Sequence, residues 1–486
     1  MSDRVILAID QGTTNTKALL FSAAGDVVAQ ASRTMSVQHP NVDWAEQSPD
    51  AIWSAVQAVI REVVAAAPGY TTAAIGVSNQ RESALLWDPV ADEALGPCVL
   101  WQCRRTSDHC AQLRQEGREA EIRARTGLGL DPLFSATKLA WLLGSLPDSG
   151  ERAAAGRVVA GTVDSWLLWK LTGEHKTDLS NASRTQLLDI TTGEWDPFLA
   201  AQFGIPLGIL ARPCASDAHF GFTAPGSTAL PGGVPVRAVL GDSHAALFGH
   251  GIAEEGGVKV TIGTGSSLMT PTERRITSQN GLSSTIAWAR SDEITYALEG
   301  NITISASAAA FAAQLLGVSD PGALTVMAAQ VSDSGGVSFV PALVGLGAPH
   351  WQDEARGIIS GMSLSTRREH VARAALEAIA LQIRDVFVAM EADLGRRLTQ
   401  ISVDGGGAVN DFLLQILADV LDRPVKRMAQ PEISARGVAR MAGQSVGIEL
   451  PPAQAQRTFL PQREGGWREA LVETWRAAIA RASFAS

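Results

Sequence analysis

An aspartate that closes an apolar run and opens onto a Gly-Thr-Thr turn can begin phosphate chemistry, and residues 5–17, VILAIDQGTTNTK, have that order. Val5 to Ile9 read as a short buried strand, and Asp10 stands at its carboxyl end, where open α/β sheets hold their ligands. Gly12 lets the backbone approach an anion. Thr13, Thr14, Asn15 and Thr16 add hydroxyl, amide and main-chain donors without bulk, and Lys17 adds a cation. The chain then runs strand, turn, strand through KALLFSA, AAGD and VVAQAS. A Walker loop or a dinucleotide fingerprint would instead lead into a helix, so neither is present here.

Related turns recur later. Gly257 to Ile262 form a strand-like run that enters Gly263, Thr264, Gly265, Ser266 and Ser267. Residues 401–410, ISVDGGGAVN, end a strand in Asp404 and open into Gly405, Gly406 and Gly407 before a helix-like FLLQILADVL. Glycine after a strand is often only a turn, but loops of this kind from several strands suit one nucleotide held from several sides.

Other strand ends carry chemistry too. Val236 to Leu240 lead into Gly241 and Asp242, a second carboxylate able to share a cleft with Asp10. Phosphoryl transfer from ATP needs Mg²⁺ to offset phosphate charge, donors for the γ-phosphoryl group, and a carboxylate that accepts the proton of an attacking hydroxyl. Residues 78–82, SNQRE, follow another apolar strand, and Arg81 with Glu82 offers the donor fork and acceptor that a polyhydroxyl ligand requires. Such a pair also describes an ordinary surface salt bridge. Trp101 reads either as an apolar wall or as plain core, and Arg104 with Arg105 as structural.

The elements that must position these residues alternate. A helix is expected over residues 51–67 after Ser48, Pro49 and Asp50, then a strand over 73–78; a long helix over 368–394 precedes a strand over 401–403. At 486 residues the chain is too long for one ordinary core, and two domains are expected, 1–245 and 246–486, the loop-like stretch 224–235 lying just before the division. Strands leading into Gly-Thr turns in both halves suggest an internally duplicated α/β fold. An apolar fraction of 46% and a charged fraction of 19% describe a soluble globular protein. No apolar run is long enough to span a bilayer, so no membrane partner is expected, and the absence of a signal-type segment leads to a cytoplasmic expectation. Cys98, Cys103, Cys110 and Cys214 lack metal-ligand spacing and read as reduced thiols. A net charge of −10 disfavours nucleic acid as a partner.

The segments DQGTTNTK, SNQRE, LWQCRRT, GTVDSWLLWKLTG, NASRTQLLDI, GDSHAALFGHG, TIGTGS, ALEG, FVPALVGLGAPHW, ARG and VDGGGAVNDFLLQ resemble, in order and spacing, the FGGY carbohydrate kinases, most closely the glycerol kinases. The resemblance runs from about residue 4 to about residue 450. It implies two ribonuclease-H-like domains of the actin and Hsp70 ATPase type, flanking a catalytic cleft that takes ATP and Mg²⁺. By motif it implies Asp242 as general base, Asp10 and Asp242 as the Mg²⁺-facing carboxylates, and Thr13, Thr14, Asn15 and Lys17 as the first phosphate loop. Gly263, Thr264 and Gly265 become the second phosphate loop, and Gly406 and Asn410 adenosine contacts. Arg81, Glu82, Trp101 and Asp242 become contacts to a small polyol or sugar, with a homodimer as the assembly to test.

The departures fall around the acceptor. Leu133 stands where glycerol kinases usually have Tyr, Ser243 where they have Gln, and Ser267 where they have Phe, so ring volume is lost and a kinase for a four- or five-carbon polyol or ketose is the alternative. Ala310 replaces a Gln near the nucleotide, and residues 224–236 lack the arginine of the fructose 1,6-bisphosphate loop, so that regulation is not carried over. A ribonuclease-H-type nuclease is disfavoured by the acidic balance. An actin- or Hsp70-like ATP-driven binding module would share the phosphate loops but has no use for Arg81, Glu82 and Trp101.

Overall fold

The computed structural model describes residues 3–252, 256–291, 293–430 and 432–483. Within them the chain forms two compact units. The first takes the described residues of 1–251, 284–297 and 432–452; the second takes those of 252–283, 298–431 and 453–486.

The first unit is built on a sheet ordered Gly221–Phe222, Pro235–Gly241, Tyr70–Asn79, Asp3–Gln11, Asn15–Phe21, Val27–Thr34. Asp3–Gln11 pairs antiparallel with Asn15–Phe21 and parallel with Tyr70–Asn79, which pairs parallel with Pro235–Gly241. Val5 to Ile9 are wholly buried, as an apolar run in a central strand requires. The helix Pro49–Ala66 begins where Ser48 Oγ accepts from Ala51 N and Pro49 supplies a preset first turn. Ile52, Val56, Val59, Ile60 and Val63 make its buried stripe.

The second unit repeats the scheme. Gly257–Ile262 pairs antiparallel with Ser266–Thr272 and parallel with Gln400–Asp404, which pairs parallel with Val425–Met428. In both units a hairpin thus extends from the first strand on one side and parallel strands on the other, which is the expected duplication. The helix Arg368–Leu394 occupies the expected span, its buried face carrying Leu376, Ile379, Ile383, Val386 and Met390. Among the described residues no helix is long and apolar enough to cross a membrane.

A helix from late in the chain, Ile433–Gln444, completes the first unit by glycine contacts. A Cβ on Gly437 would lie 1.9 Å from the carbonyl oxygen of Ala245, and one on Gly249 would lie 2.4 Å from that of Ile433. A Cβ on Gly76 of the Tyr70–Asn79 strand would lie 2.5 Å from the carbonyl oxygen of Val438. Only residues without side chains let the backbones approach so closely.

Candidate active site

In the first unit the parallel strands end side by side and deliver the carboxylates. Strand register sets Asp10 beside Ser78 and opposite Lys17. Ser78 Oγ donates to Asp10 Oδ1 at 2.7 Å. Burial pushes the Asp10 carboxyl up to about 6; the charge of Asp242 adds to the rise, while the Ser78 hydroxyl and the Lys17 charge oppose it. Lys17 Nζ lies 2.7 Å from Glu432 Oε2.

The first turn is braced from three directions. Gly12 N donates to Asn15 O at 2.9 Å. Gln47 Nε2 donates to Thr13 O at 2.8 Å, and Thr13 Oγ1 donates to Gln80 Oε1 at 3.2 Å. Trp101 Nε1 donates to Thr13 Oγ1 at 2.9 Å, so the indole is tied to the Gly-Thr-Thr turn. Thr14 is exposed.

Asp242 is the first residue of the helix Asp242–Gly249, following the strand Pro235–Gly241. A carboxylate at that position is favoured by the helix N-terminus. Arg81 Nε lies 3.2 Å from Asp242 Oδ1 but 4.0 Å from Glu82 Oε1. The sequence neighbours therefore divide their attention. A Cβ on Gly241 would stand 2.6 Å from Arg81 Cδ and Cγ, so glycine at 241 makes room for the arginine stem. Ser243 N donates to Asp242 Oδ1 at 2.6 Å. Leu133 is half-buried, its amide donating to Asp131 Oδ1 at 2.8 Å and its carbonyl accepting from Lys138 Nζ at 2.5 Å.

Several partners of this site gave no sequence signal of their own. Arg184 Nε donates to Glu82 Oε1 at 2.7 Å. Ser180 Oγ accepts from Gly241 N at 3.0 Å, immediately before Asp242, and itself donates to Asp178 Oδ1 at 3.0 Å. Asn79 and Asn181 exchange amide hydrogen bonds at 2.9 and 3.1 Å beside Gln80. All three of Ser180, Asn181 and Arg184 lie in or just before the NASRTQLLDI segment.

In the second unit Gly263, Thr264 and Gly265 form a turn whose Gly263 N donates to Gly265 O at 2.8 Å. Thr264 O accepts from Ser305 N and Ser307 Oγ, each at 2.8 Å, which fixes the turn at the head of the helix Ala306–Leu315. A Cβ on Gly405 or Gly407 would meet Ile262 at 2.5 or 2.4 Å, whereas one on Gly406 would meet nothing within 4 Å. The third glycine turn therefore packs on the strand that feeds the second, with Gly406 facing open space. Asn410 caps the helix Asp411–Leu421, accepting from Leu413 N at 3.1 Å and donating from Nδ2 to Thr325 Oγ1 at 2.8 Å. Ser267 Oγ donates to Glu299 Oε1 at 3.2 Å and lies 3.5 Å from Lys259 Nζ, so its hydroxyl already has protein partners.

Residues 5–249 match the N-terminal domain of the FGGY family of carbohydrate kinases, and residues 258–446 match its C-terminal domain. The chain belongs to this family and is a carbohydrate kinase. It is 43% identical to a glycerol kinase of Alkalilimnicola ehrlichii, over 99% of this chain and 98% of that relative. It is also 43% identical to a glycerol kinase of Bdellovibrio bacteriovorus, over 94% of each chain. Among solved structures it is similar to Plasmodium falciparum glycerol kinase with ADP, with a TM-score of 0.93, 28% identity and coverage of 99% of this chain and 98% of that one. A xylulose kinase from Rhodospirillum rubrum superposes with a TM-score of 0.86 at 26% identity, covering 98% and 99% of the two chains.

Proposed function

We propose that this chain transfers the γ-phosphoryl group of ATP to a hydroxyl of a small polyol or sugar, glycerol or a four- or five-carbon polyol or ketose. The observation that carries the reading is the grouping, in one unit, of Asp242 on a helix N-terminus, Arg81 against it, Glu82 beside Arg81, and Asp10 close enough for Asp242 to act on its charge.

Each residue then has a task that its geometry suits. Asp242 accepts the proton of the attacking hydroxyl, and Arg81 fixes where that carboxylate points. Glu82 accepts hydrogen bonds from other acceptor hydroxyls, and Trp101 closes one side. Within the first unit Thr13, Thr14, Asn15 and Lys17 supply donors for phosphate; within the second, Gly263 to Gly265 suit phosphate, Gly406 is the adenosine contact, and Asn410 fixes the end of that loop. Asp10 and Asp242 are hard oxygen donors, and Asp10 is a half-buried carboxyl repelled by a second one, an arrangement that a divalent cation relieves. Mg²⁺ is usually held by one or two carboxylates together with substrate phosphates, so this set fits it. When bound, Mg²⁺ offsets charge on the phosphate oxygens.

An assay of ADP release across three-, four- and five-carbon polyols and ketoses tests the reading. ADP release that requires both ATP and one of these acceptors is expected. ATP turnover indifferent to every acceptor would overturn it. Light scattering on the purified protein tests the homodimer.

A further inference from the structure

Glu82 is held more firmly than an acceptor contact on a loop needs to be. Its backbone has φ of 61°, a left-handed conformation that costs a non-glycine residue energy and persists where surrounding contacts impose it. Its carbonyl accepts from Ser135 Oγ at 3.0 Å. Its carboxylate receives Arg184 Nε at 2.7 Å, the two side chains being 5% and 0% exposed. Arg184 in turn lies over the ring of Phe134, its guanidinium carbon 5.1 Å from the centroid. Lys138, itself fully buried, donates to the carbonyls of Leu133 and Phe134 at 2.5 and 2.9 Å. A buried lysine thus pins the segment whose ring supports the arginine that grips the carboxylate.

Resting on the acceptor role proposed for Glu82, we infer that Arg184 is a positioning residue for the acceptor site, setting the direction of the Glu82 carboxylate on its Phe134 support. Arginine suits the task because its planar, permanently charged fork holds one geometry, and a lysine offers only a rotating point charge. If Arg184 serves the acceptor by aiming Glu82, its removal should matter only while Glu82 is present to be aimed.

The test is a double-mutant cycle read in steady-state kinetics of the full chain, with wild type, Arg184→Met, Glu82→Gln and the double variant assayed for acceptor KM, ATP KM and kcat. Arg184→Met should raise acceptor KM roughly tenfold or more and leave ATP KM within about twofold, since a site built to pair hydroxyls loses its acceptor when those bonds are misdirected. In the Glu82→Gln background the same change should add less than about a factor of two, the non-additivity expected of residues acting as one unit. Should Arg184→Met fail to fold by circular dichroism, Arg184→Lys replaces it, with a several-fold rise in acceptor KM and an unchanged ATP KM expected. Equal changes in the two KM values, an unmoved acceptor KM, or fully multiplicative penalties overturn the inference. If Glu82→Gln raises acceptor KM and Arg184→Met does not, only the inference falls; if Glu82→Gln also leaves it unmoved, the acceptor role of Glu82 falls with it.

Discussion

Arg81 Nε stands 3.2 Å from Asp242 Oδ1, nearer than it stands to its own sequence neighbour Glu82. The contact joins two strand ends, Tyr70–Asn79 and Pro235–Gly241, that pair in parallel register. It gives the proposed base a fixed direction and leaves Glu82 to a different cation, Arg184. The two carboxylates thus take their nearest cations from different arginines.

If Asp242 takes the proton from the attacking hydroxyl, Asp242→Asn should lower kcat by roughly 10² to 10⁴ with ATP KM little changed, the usual worth of a general base. A variant with near wild-type kcat would remove Asp242 from that role.

The Trp101 indole donates to Thr13 Oγ1. Trp101→Phe keeps the flat apolar face and deletes the donor, so ATP KM should rise a few-fold with acceptor KM nearly unchanged, on the scale of one hydrogen bond of about 1 kcal/mol. Trp101→Ala should raise both. If Trp101→Phe leaves ATP KM at the wild-type value, the indole serves the acceptor alone.

Leu133 carries the question of acceptor size. A four- or five-carbon polyol or ketose should be phosphorylated with higher kcat/KM than glycerol, because a short acceptor leaves part of a Tyr-less pocket to water. Leu133→Tyr should shift the ratio toward glycerol by roughly tenfold, the scale at which an apolar pocket discriminates. Leu133 is the informative position, since Ser267 is engaged with Glu299 and a Phe there would also disturb a buried acid. A wild type that prefers glycerol over every longer acceptor would mark the pocket as glycerol-sized.

Burial, with the charge of Asp178 adding, pushes the Asp164 carboxyl from 3.8 up to about 6, against the opposing hydroxyls of Thr162 and Thr177. The folded chain keeps this proton to about 6 while the unfolded chain gives it up near 3.8, so the unfolded state binds fewer protons between those values. Stability from this group is therefore complete below the lower value and lost as pH rises through the upper one, by on the order of 3 kcal/mol. Asp10 and Asp178 are raised as well, so the comparison must be of slopes. Denaturant unfolding between about pH 4 and about pH 6 should show a shallower fall for Asp164→Asn than for wild type. Parallel slopes would mean that the carboxyl ionises alike in both states.

The strands that carry the site were legible because Val5 to Ile9 are apolar throughout, Val236 to Leu240 are apolar but for Arg237, and Gly257 to Ile262 alternate apolar Val258, Val260 and Ile262 with polar residues, each run leading into Asp or Gly. The helix Arg368–Leu394 was legible from its periodicity. Arg184 was not, because nothing local distinguishes an arginine among Asn, Ala, Ser and Thr, and its partner Glu82 is 102 residues away. The return of residues 432–452 to the first unit was equally hidden. Its signal is the placing of Gly76, Gly249 and Gly437, and a glycine chosen for backbone contact looks in sequence like one chosen for a turn.

That return imposes an order on biogenesis. On the ribosome the helix that begins with Asp242 emerges long before Ile433–Gln444, the helix whose glycine it packs against. Until the later segment arrives, the Ala245 to Gly249 backbone and the strand around Gly76 present an uncovered face to the cell. A nascent chain halted near residue 300 should hold its first sheet yet remain open to protease around residues 242–251, and a separately supplied peptide spanning 432–452 should close it.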